Sequence, residues 1–167
     1  GVIRGALAHS DIIGKIYGMK NGIEGFLEER IVDLSSVCSD EHSLTTLELT
    51  PAAALGSCRK KLKPVEEDGN TYEKLLSLFK KYDIRYFFYI GGNDSMDTVM
   101  KLSKYAANHD YEMRVVGVPK TIDNDLVATD HTPGFGSAAK FVATTVKEVL
   151  RDVSVYKMRA VTIVEIM

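Results

Sequence analysis

Two short segments concentrate the side chains able to do chemistry. The first is Gly91-Gly92-Asn93-Asp94-Ser95. Paired glycines let a backbone approach a ligand closely, and a helix starting there offers free N–H groups to an anion. A tight turn with Asn93, Asp94 or Ser95 as helix N-cap explains the same residues, and the glycines alone leave both readings open. The second segment, Pro119–Asp130, holds Asp123, Asp125 and Asp130 with Lys120 and Thr121 beside them. Carboxylates two apart in an extended segment point the same way, so Asp123 and Asp125 are expected to converge. Such a pair can share a metal, or one member can act as a base tuned by the other. The alternative is a solvated acidic turn. The length of the loop in a compact domain favours the functional reading. Arg59 follows a glycine turn in Leu55–Arg59 and offers a fork for phosphate, although a lone surface arginine is the commoner case. A Gly-Gly loop, an Asp pair, a lysine and an arginine together suggest phosphoryl transfer. That reaction needs cations and N–H groups on the phosphates, a metal, and a base aimed at the accepting hydroxyl.

Such residues work only if the fold holds them in place. Asn70–Tyr82 has Tyr72, Leu75, Leu76 and Phe79 at helical spacing, and Ile84–Ile90 is rich in aromatic and β-branched residues, as strands are. The Gly-Gly segment follows at once, and a helical pattern resumes over Asp94–Ala107. Met113–Val118 reads as a buried strand leading into the acidic loop. Thr132–Ser137 is a turn-rich, mainly structural lead into a helix over Ser137–Val153, whose Ala138, Val142, Val146, Val149 and Val153 share a face. Lys157–Glu165 reads as a final strand. Upstream, Val2 to about His9 suits a helix, Ile12–Tyr17 and Ile31–Leu34 suit short strands, and Ser35–Lys63 reads as loops and short pieces. Alternating helices and strands imply an α/β fold, a parallel sheet with helices on both faces. Ligands of such sheets bind in loops at the carboxyl ends of strands, where both chemical segments lie.

Composition narrows the class. The 167 residues are 45% hydrophobic and 26% charged, with 23 acidic and 21 basic side chains and a net charge of −2. These values argue against disorder and give no bulk reason to expect nucleic-acid binding. No apolar run approaches the ~18 residues of a membrane-spanning helix. Two cysteines, Cys38 and Cys58, are too few for a disulfide framework and favour a reducing cytoplasm. The ends stand out: Gly1–Ala8 reads as a helix interior, and Ala160–Met167 is strand-like with no turn signal after it. The expectation is a piece cut inside two elements, and the alternative is a complete small protein with frayed ends.

With GGNDS at Gly91–Ser95 ahead of PKTIDND at Pro119–Asp125, the sequence resembles the phosphofructokinase family, specifically its pyrophosphate-dependent branch. The match runs through VIRG at Val2–Gly5, YGMKNGIEGF at Tyr17–Phe26, LGSCR at Leu55–Arg59, TDHTPGFGSA at Thr129–Ala138 and VEIM at Val164–Met167. The resemblance implies that Asp123 accepts the proton of the 1-hydroxyl of fructose 6-phosphate, with Thr121, Ile122 and Asp125 in the same substrate-facing loop. It implies that Gly91, Gly92 and Ser95 face the donor phosphates, that Arg59 contacts them, and that Met167 belongs to the sugar-phosphate site. Asn93 falls where a magnesium-associated aspartate usually sits. An amide is a weaker partner for a hard cation, so magnesium is expected to be bound largely through the donor.

Asp94 bears on the choice of donor. ATP-using relatives have glycine there, leaving room for the α-phosphate, whereas a carboxylate fills that space and repels that charge. Lys120 supplies a positive charge to pyrophosphate, although lysine here also occurs in some ATP-using relatives. The resemblance therefore implies reversible transfer from pyrophosphate to fructose 6-phosphate in glycolysis and gluconeogenesis. It implies that residues 1–167 form most of a phosphate-donor domain within a homo-oligomeric cytoplasmic enzyme. The family's first glycine-rich loop and its sugar-phosphate domain are expected outside this sequence, so no turnover is expected of the chain alone. Ala8 replaces an effector-binding arginine of bacterial ATP-dependent relatives. The alternatives are an ATP-dependent 6-phosphofructokinase and a non-catalytic phosphate-binding module.

Overall fold

The structure, a computed structural model, describes residues 1–166. In chain order its elements are α1 (Val2–Ala8), β1 (Tyr17–Met19), α2 (Gly22–Leu27), β2 (Ile31–Asp33), α3 (Leu34–Val37) and α4 (Glu41–Leu49). The chain continues through α5 (Gly69–Lys81), β3 (Tyr86–Gly91), α6 (Asn93–Asn108), β4 (Arg114–Pro119) and α7 (Phe135–Ser154). None of these helices is long and apolar enough to cross a membrane.

The second half folds as its periodicity requires. The apolar positions of α5 become its buried side: Tyr72, Leu75, Leu76, Leu78 and Phe79. Lys80 and Lys81 lie in its last turn, where cations oppose the helix dipole favourably. Asp83 then turns left-handed at φ 47° and ends the run. β3 and β4 pair in parallel from Tyr86 opposite Arg114 to Gly91 opposite Pro119, and α6 is the crossover between them. Parallel pairing requires such a connection. Alternation along β3 sends Phe87 into the core, where its ring centroid lies 5.1 Å from that of Phe79. On the same face of β4, a Cβ at Gly117 would meet Met96 Sδ of α6 at 2.6 Å, so glycine there lets the helix lie close to the sheet. The core joins α2, α5, β3 and α6 through Phe26, Phe79, Phe87 and Leu102, and Val115 of β4 packs against it.

The α/β class and the parallel sheet are as expected, in a reduced form. Among the described residues the parallel sheet has two strands, and α5 and α6 lie on the Phe87 and Gly117 face. Tyr86, Phe88, Ile90 and Val116, which alternate to the other face, are exposed. β1 and β2 form a separate antiparallel pair, Tyr17 opposite Asp33 and Met19 opposite Ile31.

Three sequence expectations need correction. Ile12–Tyr17 is not a strand; pairing starts only at Tyr17, because β2 runs alongside only as far as Asp33. There Asp33 accepts a hydrogen bond from the Ser35 amide and starts α3 instead. Within Ser35–Lys63, expected as loops and short pieces, α4 is a regular nine-residue helix of about two and a half turns. Its start is a capping box, with Asp40 accepting from the Ser43 amide at 2.7 Å. Lys157–Glu165 is irregular: no neighbouring strand among the described residues completes its ladder, and Val161 and Ile163 are exposed. The predicted apolar stripe of α7 is its less exposed side, and Val142, Val146 and Val149 line a shallow cleft with Val164 and Ile166.

Candidate active site

β3 delivers the Gly-Gly segment to the sheet's carboxyl edge. Gly91 is the buried last residue of β3, and a Cβ there would lie 1.9 Å from Ser95 Oγ, so the turn demands glycine. Gly92 is different. Its φ of −84° suits any residue, and a Cβ would meet only the Lys120 carbonyl at 3.8 Å. The fold itself does not require glycine at 92; its absent side chain leaves the start of α6 uncovered. Gly92 is the N-cap, and no side chain caps the helix. The amides of Ser95 and Met96 bond back to the Gly92 carbonyl at 3.0 and 3.1 Å. Asn93, Asp94 and Ser95 are therefore not N-caps but the first turn of α6. That turn leaves the Asn93 and Asp94 amides, which have no backbone partner among the described residues, and the positive end of the helix dipole at the sheet edge.

The acidic loop closes against this turn. The Lys120 amide donates to the Gly91 carbonyl at 3.0 Å, and Asn93 Nδ2 donates to Asp125 Oδ2 at 3.1 Å. Within the loop, Thr121 bridges to Gly134, and its amide donates to the Pro133 carbonyl at 3.1 Å. Thr132, only 3% exposed, donates through Oγ1 to the Thr121 carbonyl at 2.7 Å. Its amide donates to Asn124 Oδ1 at 2.9 Å, while Asn124 Nδ2 donates to the Asp130 carbonyl at 3.2 Å. Thr121 Oγ1 accepts from the Asp123 amide at 3.0 Å. This network makes the loop a defined turn. Removing the Thr132 hydroxyl with Thr132→Val should cost about 1–2 kcal/mol. It should also speed proteolytic cutting of the loop; an unchanged melting temperature and cleavage rate would contradict this.

Asn124 sits at φ 55°, in the left-handed region, between Asp123 and Asp125. The segment is therefore not extended, and the expected convergence of the two carboxylates by strand alternation does not occur. Asp125 turns to Asn93, whereas Asp123 is exposed and has no side-chain hydrogen bond or ion pair among the described residues. Ile122 is 44% exposed beside it. No three His, Cys, Asp or Glu side chains among the described residues form a cation site.

Asp94 is 70% exposed in the first turn of α6, and its Oδ1 lies 2.7 Å from Lys61 Nζ. The carboxylate raises the pKa of the Lys61 ammonium by hydrogen bonding and by charge. Sequence reading missed Lys61 because the pair is distant along the chain; only the lysine run after LGSCR hinted at it. Arg59, two residues earlier, is exposed and forms no ion pair among the described residues. The Leu55–Lys63 segment is nevertheless well anchored. The Asn21 amide donates to the Leu55 carbonyl at 2.8 Å, Leu62 is buried, and the Tyr72 hydroxyl donates to the Lys63 carbonyl at 2.6 Å. Cys58 packs beside Tyr89, whose phenol is pushed up to about 12, first by burial and then by the thiol. Gly91, Gly92, Asn93, Asp94, Ser95, Lys120, Thr121 and Asp125 are thus brought to one edge, with Asp123 on the same loop. Met167 lies outside the described residues.

A family model described as Phosphofructokinase matches residues 1–167. The chain is 48% identical over 154 residues to the pyrophosphate–fructose 6-phosphate 1-phosphotransferase of Halomonas elongata, covering 92% of this chain and 36% of that protein. It is similar to the crystal structure of the pyrophosphate-dependent phosphofructokinase from Nitrosospira multiformis. There the TM-score is 0.83 and the identity 43%, over 91% of this chain and 36% of the other. An ATP-dependent 6-phosphofructokinase of Actinobacillus pleuropneumoniae is 31% identical over 167 residues, 100% of this chain and 46% of that one. The chain spans 36% of the length of the Halomonas relative, a little over a third.

Proposed function

The chain belongs to the phosphofructokinase family, and from that premise we propose that it is the donor-phosphate part of a pyrophosphate-dependent enzyme. The reaction is transfer of a phosphoryl group from pyrophosphate to the 1-hydroxyl of fructose 6-phosphate, giving fructose 1,6-bisphosphate and phosphate. The observation that carries this reading is Asp94 in the first turn of α6, where a nucleotide's α-phosphate would meet a carboxylate. The higher identity to a relative named for pyrophosphate than to one named for ATP supports it.

Asp123 takes the proton of the sugar hydroxyl. The freed oxygen bonds to the terminal phosphorus of pyrophosphate as the bridging P–O bond breaks, and phosphate leaves. The amides at the start of α6, with Lys120 and Arg59, offset charge on the phosphates. Pyrophosphate is a modest donor, so the step runs in both directions. The donor set suits magnesium carried in by the phosphates rather than caged by protein, because small hard cations keep few protein ligands. Asp125 is the residue that would hold it, and the ion would supply charge neutralisation on the donor. The substrates assign the step to glycolysis and gluconeogenesis, and the two free cysteines favour a cytoplasmic setting. We assign the full-length protein to a homo-oligomer on the family resemblance.

Phosphorus NMR on the full-length protein tests the reaction. With magnesium and fructose 6-phosphate, the pyrophosphate signal should give way to equal phosphate and new sugar phosphate. Pyrophosphate consumed without sugar would instead indicate hydrolysis. Asp94→Gly should raise kcat/KM for ATP by about tenfold or more, as expected when a blocking carboxylate is removed, with a smaller change for pyrophosphate. Unimproved ATP use in steady-state assays would count against the obstruction argument.

A further inference from the structure

We propose that Lys61 is a specificity-determining residue of the donor site, neutralising Asp94 so that the carboxylate obstructing a nucleotide does not also repel pyrophosphate. The inference rests on the donor reading above. A carboxylate at the start of α6 faces any anion drawn there by the helix amides, and pyrophosphate carries more charge per volume than a nucleotide. Asp94 therefore excludes ATP usefully only if its own charge is offset. The structure supplies the offset in a paired arrangement along α6. Lys61 Nζ lies 2.7 Å from Asp94, and Lys101 Nζ lies 2.7 Å from Asp97, so each acid of the first two turns has its own lysine.

Lys61 has little other use. The pair is 64% and 70% exposed, and exposed pairs contribute little to folding. Its backbone is nonetheless fixed. Leu62 is 1% exposed, and its carbonyl accepts from Lys101 Nζ at 2.9 Å. Lys61 is thus delivered to the start of α6 by a buried neighbour rather than by a mobile loop.

A double-mutant cycle on the full-length enzyme tests this, using Lys61→Met, Asp94→Asn and the two together, with Lys61→Arg as a conservative control. Lys61→Met should raise KM for pyrophosphate by about tenfold, with kcat and the fructose 6-phosphate KM within about threefold of wild type. Lys61→Arg should restore KM to within about threefold, because it keeps the charge. In the Asp94→Asn background, Lys61→Met should change KM by less than about threefold, because the charge it offsets is gone. An equal effect in both backgrounds overturns the proposal. So does an unchanged KM in Lys61→Met, or a fall in kcat and loss of sugar affinity that Lys61→Arg shares. A wild-type enzyme that does not use pyrophosphate overturns the donor reading and this proposal with it. Activity with pyrophosphate but no coupling overturns this proposal alone.

Discussion

Asp123→Asn in the full-length enzyme is expected to lower kcat by about 10²–10⁴-fold in both directions, the range that positioned proton transfer supplies. Asparagine keeps the size and polarity of aspartate but cannot take the sugar hydroxyl proton. The Asp123 carboxylate has no side-chain partner among the described residues, while its amide is held by Thr121 Oγ1 at 3.0 Å. The substitution therefore removes the base without dismantling the loop. KM for pyrophosphate should change little, because the lost interaction belongs to proton transfer rather than to donor binding. Steady-state kinetics in each direction measure both constants. A variant retaining more than about a tenth of wild-type kcat would contradict the assignment of Asp123 as base.

Phe79→Ala is expected to cost about 3–5 kcal/mol of stability, as large-to-small changes in packed aromatic cores do. Phe79 is 1% exposed, and its ring centroid lies 5.1 Å from both Phe26 of α2 and Phe87 of β3. It thus joins an outer helix to the strand that carries the Gly-Gly turn. Its carbonyl accepts from the Ile84 amide at 2.9 Å and lies 3.0 Å from the Tyr111 hydroxyl, which fixes the passage from α5 into β3. Truncation leaves a cavity behind the strand that positions Gly91. Urea titration should show the loss as a lower midpoint, and a change under about 1 kcal/mol would mean the site can collapse around the missing ring.

The elements around the site were legible because two signals coincide there. In α5 an apolar period of helical type ends at a turn residue, and in β3 aromatic residues run straight into paired glycines. The same reasoning failed where strand propensity lacked a neighbour. Ile12–Tyr17 and Lys157–Glu165 are β-prone, but a strand exists only beside another, and pairing is a long-range fact. α4 escaped for the opposite reason: it buries no residue, so it has no apolar stripe, and its one signal was Asp40 three residues before Ser43.

Within the site, the glycine turn and the acidic loop could be read from residue types. The direction of Asp123 and Asp125 could not, because Asn124 adopts a left-handed conformation that alternation does not foresee. Lys61 was hidden for the same reason as strand partners, since its ion pair joins segments that are close only after folding. Sequence favoured Arg59 as the cation of that segment. The structure adds the lysine two residues further on, which it brings to Asp94.

The central claim is that pyrophosphate is the phosphoryl donor. It is tested most directly by the ratio of kcat/KM for pyrophosphate to that for ATP, measured on the purified full-length enzyme at fixed magnesium and fructose 6-phosphate. Discrimination by a carboxylate that fills the α-phosphate's place while Lys61 offsets its charge toward pyrophosphate predicts a ratio of about 100 or more. A ratio below one would contradict the account.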